Sequence, residues 1–326
     1  MAKVFVTQPV VESALARLRT IAEVTVNLDS SQVIAKDRLI AGAKACDILF
    51  SLLHDPVDRE VIAANPSLRA IASMSITPDN IDVKEATARR IPVTVVPALA
   101  VESTADIHFA LLLAVARRLV EGDQAVRAGI FPGSQSNHLL GAGVFGKTIG
   151  LVGGRGRIGQ AVAARARGFS MRILYTGPRP MAETDEHRLG ATYVSLHRLL
   201  AESDFVSLHP QLTPATRHLI GGREIALMKP TAYLINTSRG AVVDEAALTA
   251  ALTEKRIAGA GLDVFENEPR VAPALTKLAN VVLTPHLGSA VVEVRTAMAE
   301  TVVDNIAAIL AGRTPPNIVN PEVLAP

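Results

Sequence analysis

The chain has 326 residues, of which 49% are hydrophobic and 20% charged, and its formal net charge is +2. That length suggests about two domains, and so small a charge offers no electrostatic footprint for nucleic acid or an acidic membrane surface. Cys46 is the only cysteine, which excludes a disulfide framework and a cysteine-built metal site.

The opening residues Met1–Val6 carry no secretory h-region. The apolar run from Phe109 to Ala116 stops at Arg117-Arg118, well short of the roughly 20 residues a membrane span needs. A cytoplasmic protein with no membrane and no nucleic-acid partner is expected. With no Trp and 3% aromatic residues, the core must be built from Ala, Val, Leu and Ile.

Short apolar runs alternate with helical patterns from the start. Lys3–Thr7, Ala22–Val26, Asp47–Phe50, Arg69–Ala72 and Pro92–Val95 read as strands. Val11–Leu18, Lys36–Ala41, Arg59–Ala64 and Lys84–Arg89 read as the helices between them. A long helical segment follows from Glu102 to Arg127, with Ala105, His108, Leu111, Leu112 and Val115 on one side.

Next comes a strand-like run, Thr148–Val152, then Gly154-Arg155-Gly156-Arg157-Ile158-Gly159, then an Ala-rich helical run from Gln160 to Arg167. This is G-x-G-x-x-G in a strand–turn–helix setting. Glycines let the backbone approach a dinucleotide pyrophosphate, and the helix N-terminus offers free N–H groups and a positive dipole end. A second βα series continues with strands at Arg172–Tyr175, Phe205–Leu208, Ala232–Asn236, Gly259–Asp263 and Val281–Thr284. Val291 to Leu310 forms a last long helix, with Val294, Met298, Val302, Ile306 and Ile309 on one side.

Repeated βα units predict an α/β protein with two doubly wound parallel sheets covered by helices. The boundaries fall near 97–101 and 288–291. Residues 1–100 with 290–326 are expected to form one discontinuous, substrate-binding domain, and 101–289 the dinucleotide-binding domain inserted within it.

Three segments combine reactive side chains with strand ends: Ile235-Asn236-Thr237-Ser238-Arg239-Gly240, Asp263-Val264-Phe265-Glu266-Asn267-Glu268-Pro269 and Thr284-Pro285-His286-Leu287-Gly288-Ser289. In open α/β sheets the ligand site lies outside the carboxyl ends of the strands. Arg239, Glu268 and His286 are therefore the expected catalytic set. A guanidinium can clamp a carboxylate bidentately, an imidazole can donate a proton to a developing alkoxide, and a nearby carboxylate favours the imidazolium. Singly, each has a bland alternative: a solvated arginine, a structural histidine, an Asp263 that caps a turn. Of the other histidines, His209 ends a strand and is a candidate cofactor contact, while His108 reads as packing or an interdomain contact. No pair has zinc-ligand spacing, so no metal is expected, and no G-x-S-x-G is present.

Together these segments resemble the D-2-hydroxyacid dehydrogenase family, nearest to glyoxylate/hydroxypyruvate reductases. The likeness covers most of the chain, including Asp79-Asn80-Ile81-Asp82 and Ser103-Thr104-Ala105-Asp106. It implies two Rossmann-like domains with a cleft between them, a homodimer, and a small 2-ketoacid or 2-hydroxyacid substrate. It implies Arg239 as binder of the substrate carboxylate, and His286 as general acid in reduction with Glu268 as its partner. It places Asp263 near the nicotinamide carboxamide, Thr104 beside the ring, and the backbone of Ile76 and Thr77 at the substrate carboxylate. The cofactor set then comprises Gly154, Gly156, Arg157, Ile158, Gly159, Thr176, Arg179, His209, Thr104, Thr237, Asp263 and Gly288. Leu52 and Ser289 join Ile76, Thr77, Arg239 and His286 on the substrate side.

The chain departs from the family pattern at Thr77-Pro78, where a glycine is usual in the first place. A β-branched residue and a proline stiffen that loop and imply a reshaped carboxylate cradle. A tryptophan common in the family is missing near Ser136-Asn137-His138, and His209-Pro210-Gln211-Leu212 places its proline differently.

An NAD-selective fold needs an acid at the end of the second strand to accept the ribose hydroxyls. Here Ile173-Leu174-Tyr175 runs into Thr176-Gly177-Pro178-Arg179, with no Asp or Glu. NADPH is therefore expected over NADH, with Arg179 and Thr176 at the 2′-phosphate. Two other readings are an NAD-dependent dehydrogenase of a larger 2-hydroxyacid, and a dinucleotide-sensing binding protein on a dehydrogenase scaffold.

Overall fold

The structure, a computed structural model, describes residues 1–324. The first elements are β1 (Lys3–Val6), α1 (Glu12–Arg19), β2 (Glu23–Val26), α2 (Lys36–Lys44), β3 (Ile48–Ser51), α3 (Arg59–Ala63), β4 (Ala70–Ser73), α4 (Val83–Ala88) and β5 (Val93–Thr94). Then come α5 (Val101–Ala116), α6 (Leu119–Arg127), β6 (Thr148–Val152), α7 (Arg157–Gly168), β7 (Arg172–Thr176), α8 (Glu183–Leu189), β8 (Ala191–Tyr193), α9 (Leu196–Glu202) and β9 (Phe205–Leu208). The chain continues through α10 (Gly222–Ile225), β10 (Tyr233–Asn236), α11 (Glu245–Thr253), β11 (Gly259–Leu262), β12 (Val281–Leu283) and α12 (Val292–Leu310).

These elements form two compact units, Met1–Leu99 with the segment from Val291 onward, and Ala100–Ala290. The first holds a five-stranded parallel sheet of order β2-β1-β3-β4-β5. One face packs on α1 and α12 through Leu15, Leu18, Val302, Val303 and Ile306. The other packs on α2 to α4 through Leu39, Val61, Ile62 and Ala86. Burial on both faces explains why β3 and β4 read as continuous apolar runs rather than alternating ones.

The C-terminal segment is tied to this first unit by polar contacts as well as by α12. The Asn320 side chain accepts from Val93 N at 2.8 Å and donates to Ile91 O at 3.0 Å. Arg17 of α1 pairs with Glu300 of α12 at 3.0 Å.

The second unit holds a seven-stranded parallel sheet of order β12-β11-β10-β9-β6-β7-β8. Counted from β6, this is the 3-2-1-4-5-6 doubly wound order with one further strand, and its order reverses between β6 and β9. Leu111, Leu112, Val162 and Ala166 of α5 and α7 fill one face; α9 to α11 fill the other with Leu199, Leu200, Leu248 and Leu252.

The sequence reading differs from the structure in two places. The segment from Glu102 to Arg127 is two helices, because Arg118 takes a left-handed conformation (φ 53°) after the apolar run ends. Arg118 then grips Glu121, one turn on, at 2.6 and 3.1 Å, and α6 starts afresh with none of its residues buried. The edge strand β8 was not foreseen; it is three residues long, two of them exposed. Among the described residues no helix is long and apolar enough to cross a membrane.

Candidate active site

The passage from β6 into α7 has no room for a side chain at two of its motif glycines. A Cβ on Gly154 would lie 2.7 Å from Tyr175 Cβ, and one on Gly159 would lie 2.6 Å from Gly154 Cα. Gly153, which precedes the motif read from the sequence, has φ +79° and would meet Pro210 N at 2.8 Å. Its need for glycine comes from a strand distant in sequence, so the G-x-G-x-x-G spacing did not reveal it. Gly156 is different: its Cβ would come no closer than 3.3 Å, to Gly153 O.

Gly156 also caps α7 without a side chain, and no acid stands in the first turn. The first N–H groups of a twelve-residue helix are thus left with their dipole uncompensated at that end, which suits an anion. Arg155 and Arg157 are exposed there, and Ile158 is half-buried. Arg155 belongs with this group although the sequence reading passed over it.

The neighbouring strand β7 ends at Thr176, which is buried, and Arg179 is exposed on the loop that follows. Two tyrosines shape this loop. Tyr175 Oη accepts from Met181 N at 2.7 Å and donates to Glu186, while Tyr193 Oη donates to Gly177 O at 2.7 Å. Glu186 is thus engaged by a phenol, and no acid takes the position that would receive ribose hydroxyls. The cradle and the open helix end fit the pyrophosphate of a dinucleotide.

The ends of β10, β11 and β12 lie side by side, with Asn236 paired to Leu262 and Leu262 to Leu283. After β10, Asn236 Oδ1 accepts from Ser238 N (3.0 Å) and Ser238 Oγ (2.9 Å), while its Nδ2 donates to Arg239 O (3.0 Å). These bonds fix the loop that carries Arg239, which is half-buried with Nη1 donating to Ser238 O at 2.8 Å. Gly240 brings that loop against the next: a Cβ there would sit 1.9 Å from Phe265 C. Thr237 is buried, and its hydroxyl has no hydrogen-bond partner.

Asp263 follows β11 at 1% exposure and organises the third loop. Its carboxylate accepts from Thr284 Oγ1 (2.6 Å), Leu287 N (2.7 Å) and Gly288 N (2.9 Å). Burial pushes this carboxyl above its ordinary range, against those hydrogen bonds and the attraction of His286. From α5, Ser103 Oγ donates to Gly288 O at 2.7 Å and Thr104 Oγ1 at 3.3 Å. Thr104, Asp263 and Gly288 are thereby brought together.

His286 stands at φ +57°, a conformation a non-glycine residue adopts only when its surroundings hold it there. Its N–H donates to Asp263 O at 2.9 Å. Its Nδ1 lies 2.9 Å from Glu268 Oε2, and Glu268 Oε1 accepts from Phe265 N at 2.9 Å. An ionised carboxylate only accepts, so Nδ1 carries the proton of this contact. Ser289, next along the loop, is half-buried.

His209 follows β9, half-buried, its N–H donating to Val152 O at 2.8 Å beside Gly153. In the first unit, Leu52 is buried with its N–H given to Asp55 at 2.6 Å. Ile76 is exposed; Ser75 Oγ donates to Thr77 O and Thr77 Oγ1 to Asp79, both at 2.7 Å. The stiffness expected of Thr77-Pro78 is thus reinforced by hydrogen bonds.

Comparison with known proteins agrees with this architecture. Residues 109–288 match the NAD binding domain of D-isomer specific 2-hydroxyacid dehydrogenases. The chain is 48% identical to a glyoxylate reductase of Thermococcus litoralis, over 99% of this chain and 98% of that one. A crystal structure of a Thermus thermophilus protein superposes with a TM-score of 0.89 at 42% identity, covering 97% of this chain and 99% of that one. An NADPH-dependent glyoxylate/hydroxypyruvate reductase from Sinorhizobium meliloti superposes with a TM-score of 0.81 at 33% identity, covering 98% of each. The chain therefore belongs to the D-isomer specific 2-hydroxyacid dehydrogenase family and is an NAD(P)-dependent oxidoreductase.

Proposed function

We propose that the protein is an NADPH-dependent reductase that converts a small 2-ketoacid, glyoxylate or hydroxypyruvate in kind, to the D-2-hydroxyacid. The His286–Glu268 pair carries this reading: its 2.9 Å contact and the anchoring of Glu268 by Phe265 N hold the imidazole in one orientation on the loop after β12. When bound, the nicotinamide supplies a hydride to the ketone carbon.

Arg239 clamps the substrate carboxylate and, by its charge, polarises the adjacent carbonyl. Glu268 holds the imidazole in one orientation. His286 Nε2 gives its proton to the carbonyl oxygen as negative charge develops there, so that hydride and proton together make the alcohol. In the oxidative direction the same nitrogen takes the proton back. Leu52, Ile76, Thr77 and Ser289 are assigned to the substrate on the family likeness.

Gly154, Gly156, Arg157, Ile158 and Gly159 are assigned to the pyrophosphate, and Thr104, Thr237, His209, Asp263 and Gly288 to the nicotinamide half. Thr176 and Arg179 are assigned to a 2′-phosphate. The support for NADPH is the missing acid at the end of β7, the exposed Arg179, and the NADPH dependence named for the Sinorhizobium meliloti relative. A second copy of the chain is assigned to α6 and the segment after it, where Leu119, Val126, Ile130, Phe131 and Phe145 are exposed.

Initial rates at the reduced-cofactor absorbance band, with glyoxylate, hydroxypyruvate and pyruvate, test the reading. Turnover is expected with the small 2-ketoacids, with kcat/KM for NADPH above that for NADH, and Arg179→Ala should lower that ratio about tenfold. A wild-type preference for NADH would overturn the cofactor assignment. NADPH binding without turnover of any 2-ketoacid would overturn the reaction.

A further inference from the structure

A polar trio inside the second unit joins His209, assigned above to the nicotinamide half, to two residues that the chemistry above does not use. Ser207 Oγ lies 2.6 Å from His108 Nε2 and 2.7 Å from His209 Nε2. His108 sits within α5, Ser207 within β9 and His209 just past the end of β9. His108 and Ser207 are 0% exposed, and His209 is half-buried. Neither Nδ1 has a hydrogen-bond partner, and among the described residues no carboxylate hydrogen-bonds either ring.

The proton count constrains this trio. Ser207 has one hydroxyl proton and two imidazole neighbours. If both rings donated to it, the hydroxyl proton would be stranded in the core. Both bonds form without that cost when one ring donates through Nε2–H and the other accepts at Nε2. The accepting ring must then carry its proton on Nδ1. Both Nδ1 atoms are buried, so the two rings differ in tautomer whichever of them accepts. One of His108 and His209 is then the Nε2–H tautomer and the other the Nδ1–H tautomer. Both rings must be neutral, and burial favours this by pushing His108 well below its ordinary range and His209 down to about 3.

The trio also joins two loops. His209 is the residue against which the turn closes, its carbonyl carbon 3.0 Å from where a Cβ on Gly153 would be. His108 is one helical turn beyond Thr104 on the same face of α5. Ser103 and Thr104 hold the Gly288 carbonyl, and so the loop that presents His286.

We infer that His108, Ser207 and His209 form a neutral, tautomer-locked pin that fixes α5 against the end of β9 and sets the glycine turn and the His286 loop at one spacing. His108 and Ser207 are thus positioning residues, remote from the reacting atoms. The inference rests on the proposed roles of those two loops, but its first test needs neither cofactor nor substrate.

That test is ¹⁵N-histidine NMR on the full chain, which separates Nδ1–H from Nε2–H rings. One ring is expected as Nε2–H and the other as Nδ1–H, with both remaining neutral down to pH 5. Finding the two rings in the same tautomer, or either ring charged at pH 6, would overturn the pin. Kinetics give the second test. Ser207→Ala should cut kcat with glyoxylate about tenfold and raise KM for NADPH by a smaller factor, and Ser207→Thr, which keeps the hydroxyl, should recover most of the loss. Should Ser207→Ala not fold, His108→Phe replaces it, keeping the ring volume without the bond. Values within twofold of wild type in the variant would overturn the pin. A wild type inactive on every 2-ketoacid would overturn the reaction while the tautomers still decide the pin.

Discussion

The carboxyl ends of β6 and β7 and those of β10 to β12 lie along one edge of one sheet, yet they are built in opposite ways. The β6–β7 side is made of things left out. It has glycines where a Cβ would collide, a helix start without a side-chain cap, and no acid after β7. The β10–β12 side is made of things filled in: Asn236, Asp263 and Glu268 each direct their polar atoms into the loops that carry Arg239 and His286. Even helix starts follow the contrast, since α11 is capped by its own Asp244 at 3.0 Å while α7 is left open. One region leaves its donors open, and the other uses its groups to hold two side chains still.

If that contrast is right, removal should harm the filled region and addition should harm the open one. The largest effect is expected at Arg239. Arg239→Ala removes a charge-assisted clamp and should lower kcat/KM for glyoxylate about 100-fold with NADPH affinity unchanged. A loss confined to NADPH binding would assign Arg239 to the cofactor instead.

Next comes Asp263→Ala, which strands Leu287 N, Gly288 N and the Thr284 hydroxyl. It should destabilise the protein by about 3 kcal/mol in urea unfolding, against less than about 1 kcal/mol for an exposed acid such as Glu183. An addition comes third. Gly159→Ala pushes a Cβ to 2.6 Å from Gly154 Cα and should weaken NADPH binding about tenfold. Gly156→Ala, with 3.3 Å of room, should leave folding intact, so the pair separates crowding of the protein from crowding of the ligand.

The last effect is gradual and lies in pH. His108 and His209 are held below their unfolded-state range by burial. Their contribution to stability is present above about pH 6.5 and is lost as pH falls toward 3, because the unfolded chain takes up protons the folded one refuses. Urea midpoints should therefore drop between pH 7 and pH 5, by up to about 1.4 kcal/mol per pH unit for each ring, and His209→Asn should flatten the slope. A slope unchanged by that variant would place the sensitivity elsewhere.

Much of this edge was legible from the residues alone. Parallel strands put their carboxyl ends together, so three reactive segments after three successive strands had to share an edge. The same logic exposed the missing acid after Tyr175. What escaped detection depends on contacts between distant positions. Gly153 needs to be glycine because Pro210 crosses behind it, and His108 meets Ser207 across 99 positions of chain. Arg118 breaks the helix by turning left-handed, which residues of its type seldom do. Asp263 suggested a turn cap or a cofactor neighbour, and its hold on the His286 loop became visible only once β11 and β12 were paired.

The central claim is that His286, steadied by Glu268, supplies the proton for reduction of a 2-ketoacid at a site served by NADPH. The most direct measurement is turnover of glyoxylate by His286→Ala alongside NADPH binding followed by fluorescence. The account predicts wild-type affinity for NADPH with kcat reduced by about 10²- to 10⁴-fold. Undiminished turnover, or a loss explained wholly by failure to bind NADPH, would contradict it.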